Sequence, residues 1–162
     1  IVVPASDDDR TSIRDTARNR GLRVAVRSAG EEPDSQSQVY VADAGTELGL
    51  WYRVAPIAYL GASISGDGTP RDPYEAAALG SAVLAGPNGK AHRDTLEGLR
   101  AAGAARIVRS AEDLGTAVSD LLSPDRAALM AGRAWEIVSD GAQGTDRVVE
   151  LVGETLDLKG AA

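Results

Sequence analysis

Short apolar runs and segments of helical periodicity alternate along this chain of 162 residues. Six runs read as strands: Ile1–Val3, Leu22–Val26, Val39–Ala42, Ile57–Leu60, Ala82–Ala85 and Arg106–Val108. Alternation of strands with helices is typical of a parallel sheet that carries helices on both faces. The pattern therefore predicts an α/β protein with a Rossmann-like three-layer α/β/α fold and a six-stranded parallel sheet.

Acidic residues, caps and glycines mark the helix boundaries. Three aspartates, Asp7–Asp9, favour the first turn of a helix that stops before Gly21. Ser110 with Asp113 resembles a capping box and predicts the start of another helix. The apolar periodicity of residues 124–157 predicts two terminal helices, separated by the glycine-rich segment SDGAQGT.

The composition is that of a globular chain with an acidic bias. Hydrophobic residues make up 43%, which is enough for one domain over residues 1–162. The net charge of −7 repels phosphate backbones and predicts no nucleic-acid partner. The chain has no cysteine and a single histidine, His92, so we expect neither thiolate catalysis nor a metal site.

The start of the chain and its hydropathy bear on its context. The chain begins at Ile1 without an initiator methionine, and we expect it to be a piece of a longer protein. No apolar run approaches the length of a membrane span, and no signal-peptide pattern is present. The sequence therefore predicts a soluble piece.

Three segments follow predicted strands, at the edge where open parallel sheets bind ligands. The first, PASDDDR, begins with Pro4 and Ala5. The second, DAGTELG, contains Gly45, Thr46 and Glu47, and its Gly and Thr open a helix whose first N–H groups are free.

The third segment, GASISGDGTPRDPYEAA, carries the most information. Asp72 predicts a helix N-cap, Pro73 suits the first helical position, and Glu75 occupies the capping-box position. Alternatively, Glu75 turns outward and accepts hydrogen bonds from two sugar hydroxyls, as carboxylates in ribose sites do. The local sequence leaves both interpretations open.

The order of four segments, P…R, DAGTELGLWYRVAPIAYLGAS, DPYEAAALGSAVLAGP and QGTDRVVELV, resembles the C-terminal half of the 3-deoxy-D-manno-octulosonic acid (Kdo) transferases. These are GT-B glycosyltransferases that use CMP-Kdo. The likeness covers nearly the whole chain and is strongest from Val39 to Pro87. The resemblance implies the C-terminal half of a GT-B fold.

The family's motifs can be matched to this chain. In the family turn G-G-H-N-P-x-E-P-A the Asn and Glu hold the cytidine nucleotide. Its M-G-E segment lies at the end of the third strand, and its P-R-H-P-E-R motif follows the first, matching this chain from Pro4 to Arg10 with one extra residue. The resemblance implies nucleotide-sugar binding by nine residues: Pro4, Ala5, Gly45, Thr46, Glu47, Asp72, Pro73, Tyr74 and Glu75.

The chain departs from the family in two of these motifs. Ala5 stands where the family has a phosphate-binding Arg, and Asp7–Asp9 would repel a phosphate. Thr-Pro-Arg-Asp, ending at Asp72, replaces Gly-Gly-His-Asn, and we expect Arg71 to face solvent. Two alternatives therefore stay open, a degenerate non-catalytic paralogue and a domain that uses a uridine nucleotide sugar.

The resemblance implies a function for the intact enzyme. It would transfer Kdo from CMP-Kdo to a lipid A precursor in lipopolysaccharide biosynthesis, at the cytoplasmic face of the inner membrane. The general base is expected in an N-terminal GT-B domain absent from this chain, so we expect no catalytic residue here and no activity alone. The implied partners are the nucleotide sugar, that N-terminal domain and the lipid A precursor. No cofactor is implied besides the donor and its product CMP.

Other polar and aromatic residues have simpler interpretations. We expect His92 to be a surface residue at a helix start. Asp43 fits a helix N-cap better than a residue that orients a loop amide or a ligand. Trp51, Tyr52 and Trp135 are spaced as packing residues, and Tyr52 could also face another domain.

Overall fold

The computed structural model of the chain describes residues 1–45, 47–66, 68, 70–88, 90–140 and 152. The helices are α1 (Asp7–Asn19), α2 (Leu48–Val54), α3 (Pro73–Ala78), α4 (Arg93–Ala101), α5 (Ala111–Leu121) and α6 (124–140). The strands are β1 (Val24–Val26), β2 (Val39–Val41), β3 (Ile57–Leu60), β4 (Ala82–Ala85) and β5 (Ala105–Ile107). Short 3₁₀ turns lie at Arg27–Ala29 and Lys90–His92.

The chain divides into two compact units, Ile1–Trp51 and Tyr52–Ala162. The boundary between them falls within α2. The single domain predicted over residues 1–162 stays a prediction.

The first unit is built on a small parallel sheet. β1 pairs with β2 in parallel, with Val24 opposite Val39. Val2 adds a single parallel bridge to Val41, donating to the Tyr40 carbonyl oxygen at 2.8 Å. The core of this unit contains Ala25, Tyr40, Ala42 and Trp51, with Val3 packed against it.

Helix α1 follows from its local sequence, as predicted. The Ser6 hydroxyl caps it by accepting from the Asp9 N–H at 3.1 Å. Asp7–Asp9 lie in the first turn, where carboxylates are stabilised by the helix dipole. After the helix, Gly21 adopts a φ of 75°, a conformation that glycine adopts at little cost.

The second unit contains a three-stranded parallel sheet in the order β3–β4–β5. Ile57 lies opposite Ala82, and Val83 opposite Ala105. All four residues of β4 are buried, which explains its continuous apolar sequence because a central parallel strand is covered on both faces. Helix α5 and α6 add to the same core: its buried members are Ala82, Leu84, Val108, Ala117, Leu121 and Ala127.

Two further helix starts in this unit match the sequence. Ser110 caps α5 by accepting from the Asp113 N–H at 3.2 Å. The Asp113 carboxylate reaches back to the N–H of Arg109 at 3.0 Å, one residue before the position that a capping box uses. Of the two predicted terminal helices, α6 accounts for the first, and nearly all of the second lies outside the described residues.

The sheet prediction is confirmed in its class and not in its extent. The described residues form five strands in a two-stranded and a three-stranded parallel sheet, so one six-stranded sheet is not confirmed. The predicted strand Ile1–Val3 contributes only the bridge at Val2. β3 and β4 have the predicted bounds, whereas β1 starts two residues later: the Leu22 N–H still closes the turn after α1 by donating to the Ala17 carbonyl oxygen at 3.0 Å, and the register with β2 begins at Val24.

A helix that crosses a bilayer must be both long and apolar. None of the helices in the described part of the chain is both long and apolar enough to cross a bilayer.

Candidate functional site

Arg27 organises the carboxyl edge of the first unit, directly after β1. Its guanidinium forms a two-pronged ion pair with Glu47, in which Nη2 donates to Oε1 at 2.6 Å and Nε donates to Oε2. It also donates to the Tyr40 hydroxyl at 3.3 Å and lies 5.2 Å from the centre of the Trp51 ring. The hydrogen bond from Arg27 lowers the pKa of Glu47. The hydrogen bonds to Glu47 and to Tyr40 raise the pKa of Arg27.

The aromatic rings beneath Arg27 are packing residues, as predicted for Trp51. Tyr40 and Trp51 meet edge to face, with ring centres 5.6 Å apart. Both are buried. Among the described residues the buried indole Nε1 of Trp51 has no hydrogen-bond partner.

Asp43 lies at the end of β2 and binds the turn after β1. Its carboxylate accepts from the Ser28 N–H at 2.8 Å and the Ser28 hydroxyl at 2.5 Å, and lies 3.5 Å from the Arg10 guanidinium. Burial by itself raises the pKa of Asp43, but the Ser28 bonds and the Arg10 charge outweigh it and lower the pKa. The predicted helix N-cap is therefore wrong, and the alternative that Asp43 orients a loop amide is confirmed.

Residues 4–10, which follow the bridge at Val2, offer little positive charge. Ala5 and Ser6 are exposed, and the Ser6 hydroxyl is occupied by the Asp9 carboxylate at 2.8 Å. The Arg10 guanidinium faces Asp7 at 3.4 Å and Asp43. Pro4 is half-buried, Gly45 is exposed, and Thr46 lies outside the described residues.

In the second unit the loops after β3 and β4 are joined to each other. The buried Ser63 hydroxyl donates to the Leu60 carbonyl oxygen and accepts from the Gly86 N–H at 2.7 Å. A Cβ on Gly86 would lie 2.2 Å from the Ser63 carbonyl oxygen, so no larger residue fits there. Asn88 donates its amide N–H to Ile64 at 2.5 Å. These contacts join residues 60–64 after β3 to residues 86–88 after β4.

The four predicted site residues Asp72–Glu75 form the N-cap and the first turn of α3. Asp72 is the N-cap, and its Oδ1 accepts from the Tyr74 N–H at 2.9 Å. Pro73 is buried at the first helical position, where its missing N–H leaves no bond unmade. The cap predicted for Asp72 is confirmed.

Glu75 does not complete a capping box. Its side chain is exposed, and no hydrogen-bond or ion-pair partner for its carboxylate lies among the described residues. Of the two interpretations, this geometry leaves the carboxylate available to accept bonds from outside the chain. A carboxylate presents about four lone-pair sites, so it can accept from two neighbouring hydroxyls at once.

Tyr52 faces the same turn and was not expected there. It is buried, and its hydroxyl pKa is raised, first by burial and then by the charges of Glu75 and Asp72. The Arg71 charge lowers the same pKa. The Ser81 hydroxyl lies 2.8 Å from the Tyr52 and Ala55 carbonyl oxygens and anchors this end of α2.

His92 also approaches the turn. It is the residue preceding α4, as expected, but it is half-buried and its Nδ1 lies 3.9 Å from Asp72 Oδ1. No three His, Asp or Glu side chains in the described part of the chain are arranged to hold a metal ion.

The predicted site residues therefore form two groups. Pro4, Ala5, Gly45 and Glu47 belong to the first unit, and Asp72–Glu75 lie together in the second. Sequence reasoning missed Arg27 and Ser28, although both follow β1 at the ligand-binding edge of a parallel sheet, which was a usable signal. The packing role predicted for Tyr52 is confirmed because its side chain is buried, whereas the same prediction for Trp135 is wrong because that side chain is 58% exposed.

Sequence comparisons give relatives of one kind. No protein-family model matches the chain. The 3-deoxy-D-manno-octulosonic acid transferase of Bordetella pertussis is 35% identical over 140 residues, covering 84% of this chain and 32% of that protein. The enzyme of the same name from Rickettsia felis is 29% identical over 125 residues, covering 77% of this chain and 26% of that protein. The chain thus spans about a quarter to a third of the length of these two relatives.

A structural comparison agrees with them. The crystal structure of the C-terminal CMP-Kdo binding domain of WaaA from Acinetobacter baumannii matches with a TM-score of 0.77 and 21% identity, covering 84% of this chain and 72% of that one. The predicted resemblance to the C-terminal domain of the Kdo transferases is confirmed, and the fold is that of this domain.

Proposed function

We propose that this chain is the donor-binding part of a Kdo transferase and binds CMP-Kdo. The proposal is supported by the relatives named Kdo transferases and by the fold shared with a CMP-Kdo binding domain. In the proposed enzyme, Kdo passes from CMP-Kdo to a lipid A precursor at the cytoplasmic face of the inner membrane. An N-terminal domain supplies the general base that activates the acceptor hydroxyl.

The single observation that carries the proposal is the free carboxylate of Glu75. Asp72 uses one oxygen to cap α3, whereas Glu75 in the first turn of α3 is exposed and unbonded in the described structure. Glu75 accepts the two ribose hydroxyls of the cytidine nucleotide in this proposal. Such charge-assisted bonds are stronger than bonds between neutral groups, and they favour a nucleotide with both hydroxyls present.

The leaving phosphate of the donor requires positive charge. Ala5 supplies none, and Arg10 and Arg27 are engaged by Asp43 and Glu47. Arg71 is exposed, directly precedes Asp72 and forms no ion pair or hydrogen bond with any described residue. We assign to Arg71 the stabilisation of the CMP leaving group, a charge effect that counts most once bound ligand excludes water.

The test is the thermal stability of the chain in the presence of CMP, CDP, UMP and UDP at millimolar concentration. A ligand that binds only the folded state raises Tm by mass action. We expect CMP to raise Tm, Glu75→Gln to remove the effect, and Glu136→Gln to leave it intact. Glu136 is the matched control because it is exposed on α6, outside the turn. A larger shift with UMP would instead indicate a uridine nucleotide sugar.

A second candidate is a degenerate chain whose cleft binds no nucleotide. It is favoured by one observation, the exposed Ala5 beside the acidic first turn of α1. Absence of a Tm shift with every nucleotide, for the chain alone and joined to an N-terminal domain, would support this candidate. In either case we expect no transfer by the chain alone, because the proposed catalytic base lies elsewhere.

A further inference from the structure

A polar cavity lies in the second unit, between α4 and β5. Its volume is about 670 Å³, and four of its lining residues are arginines: Arg93, Arg100, Arg106 and Arg109. Among the described residues, Glu97 is the one acidic side chain in its lining, and Asp72–Glu75 are not part of it. In a chain with a net charge of −7, this concentration of guanidinium groups is local and not a reflection of overall charge.

The four arginines differ in their partners. Arg100 is paired with Glu97, with a distance of 2.9 Å from Nε to Oε2. Arg106 is held by Asp120 at 2.8 Å and lies 3.7 Å from Asp113, both on α5.

Arg93 and Arg109 have no acidic partner. Their side chains are exposed and form no ion pair or hydrogen bond with any described residue. Arg93 is the first residue of α4, and Arg109 lies two residues after β5 ends. The two unpaired guanidinium groups therefore line one cavity from separate elements. Unpaired like charges that line one cavity repel each other, and a bound anion would relieve that repulsion.

The backbone of β5 adds a neutral donor. β5 is the outer strand in the described order β3–β4–β5, and the Val108 N–H donates to Ala85 of β4 at 2.8 Å. Because N–H groups alternate in direction along a strand, the N–H of Ile107 points away from β4. Ile107 lines the cavity, where Leu96 provides a buried apolar contact.

We propose that this cavity binds a phosphate-bearing ligand, with Arg93 and Arg109 as its principal contacts. Guanidinium forks match the geometry of phosphate oxygens, and all four cations among the lining residues are arginine. The volume exceeds that of a free phosphate ion and suits a phosphate with an attached organic group. The ligand is either a soluble phosphate ester or a lipid headgroup, which share this chemistry.

The test compares two double variants of equal charge. Arg93→Gln with Arg109→Gln removes the free forks, while Arg18→Gln with Arg20→Gln removes two exposed arginines of the first unit. Calorimetric titration with inorganic pyrophosphate at constant ionic strength measures the soluble arm. Sedimentation with phosphatidylcholine vesicles, with and without phosphatidic acid, measures the lipid arm. Circular dichroism melting checks that each variant is folded.

We expect the original chain and the Arg18/Arg20 variant to bind at least one probe, and the Arg93/Arg109 variant to bind it about tenfold more weakly or worse. Pyrophosphate binding alone identifies a soluble ligand, and vesicle binding that needs phosphatidic acid identifies a lipid headgroup. Glu75→Gln should leave either result unchanged. The proposal is overturned if neither probe binds, if both double variants lose binding equally, or if CMP displaces the probe. The first result would leave the arginines as charges that keep an edge strand from pairing.

Discussion

Two acidic regions of this chain use their carboxylates differently. At the carboxyl edge of the first unit, Asp43 accepts two bonds from Ser28, and Glu47 is gripped by both prongs of Arg27. At the start of α3, Asp72 uses one oxygen as the helix cap. Glu75, in the first turn of the helix, is exposed and unbonded within the described structure. Both regions match motifs of one family, yet the second is the one that leaves a carboxylate free for a ligand.

The difference has a simple physical meaning. A carboxylate that already accepts charged or backbone donors loses those bonds if it turns to a ligand, and the loss cancels most of the gain. A carboxylate that faces water exchanges one set of hydroxyl donors for another. Glu47 is therefore expected to support the fold of the first unit, and Glu75 to support binding.

The largest loss of stability is expected where the segments after β3 and β4 meet, at Ser63 and Gly86. Gly86→Ala places a Cβ about where the Ser63 carbonyl oxygen lies, at 2.2 Å, and backbone atoms cannot move aside cheaply. We expect a loss of about 3 kcal/mol in the free energy of unfolding, measured in urea. The matched control is Gly98→Ala on α4, where a Cβ meets nothing within 4 Å and should stabilise the helix slightly. Equal stability of both variants would show that the two loops are not joined as described.

A smaller effect is expected from Asp43→Asn in the first unit. The substitution keeps the shape but weakens the bonds from Ser28, and should cost about 1–2 kcal/mol. The folded pKa of Asp43 is lowered, so its charge stabilises the fold above the unfolded pKa and that contribution is lost as the pH falls.

Urea titrations at several pH values check this dependence. The stability difference between the original chain and Asp43→Asn should shrink between about pH 5 and about pH 2. Asp125→Asn, at an exposed position in the first turn of α6, serves as the control. A difference that stays constant over this range would assign the effect to shape and not to charge.

The smallest effects on stability, and the sharpest comparison, come from Glu47→Gln and Glu75→Gln. Glu47→Gln breaks an ion pair whose groups are about one-third exposed, so we expect a modest fall in Tm. Glu75→Gln should leave Tm unchanged without nucleotide and remove the shift with CMP. If Glu47→Gln alone removed the CMP shift, the first unit would hold the nucleotide and the contrast between the regions would be reversed.

Much of the fold and part of the site could be predicted from the chain. The bounds of β3 and β4 and the caps Asp72 and Ser110 were predicted correctly. The first strand was not, because its neighbours give it only one bridge at Val2. For Asp43 the helix N-cap was preferred to the loop-amide role that it has, because its partner Ser28 lies fifteen residues earlier, on the turn after another strand.

What the sequence by itself determined are features decided within a few residues: apolar runs that become buried strands, serines and aspartates that cap helices, and glycines that end them. Those features depend on hydrogen bonds and sterics between near neighbours. Only the tertiary structure decided that Glu47 is bound by Arg27, that Glu75 is free, and that Arg93 and Arg109 share one cavity. Whether a charged group is satisfied depends on which distant side chains the packed strands bring within about 3 Å of it, and no local pattern records that distance.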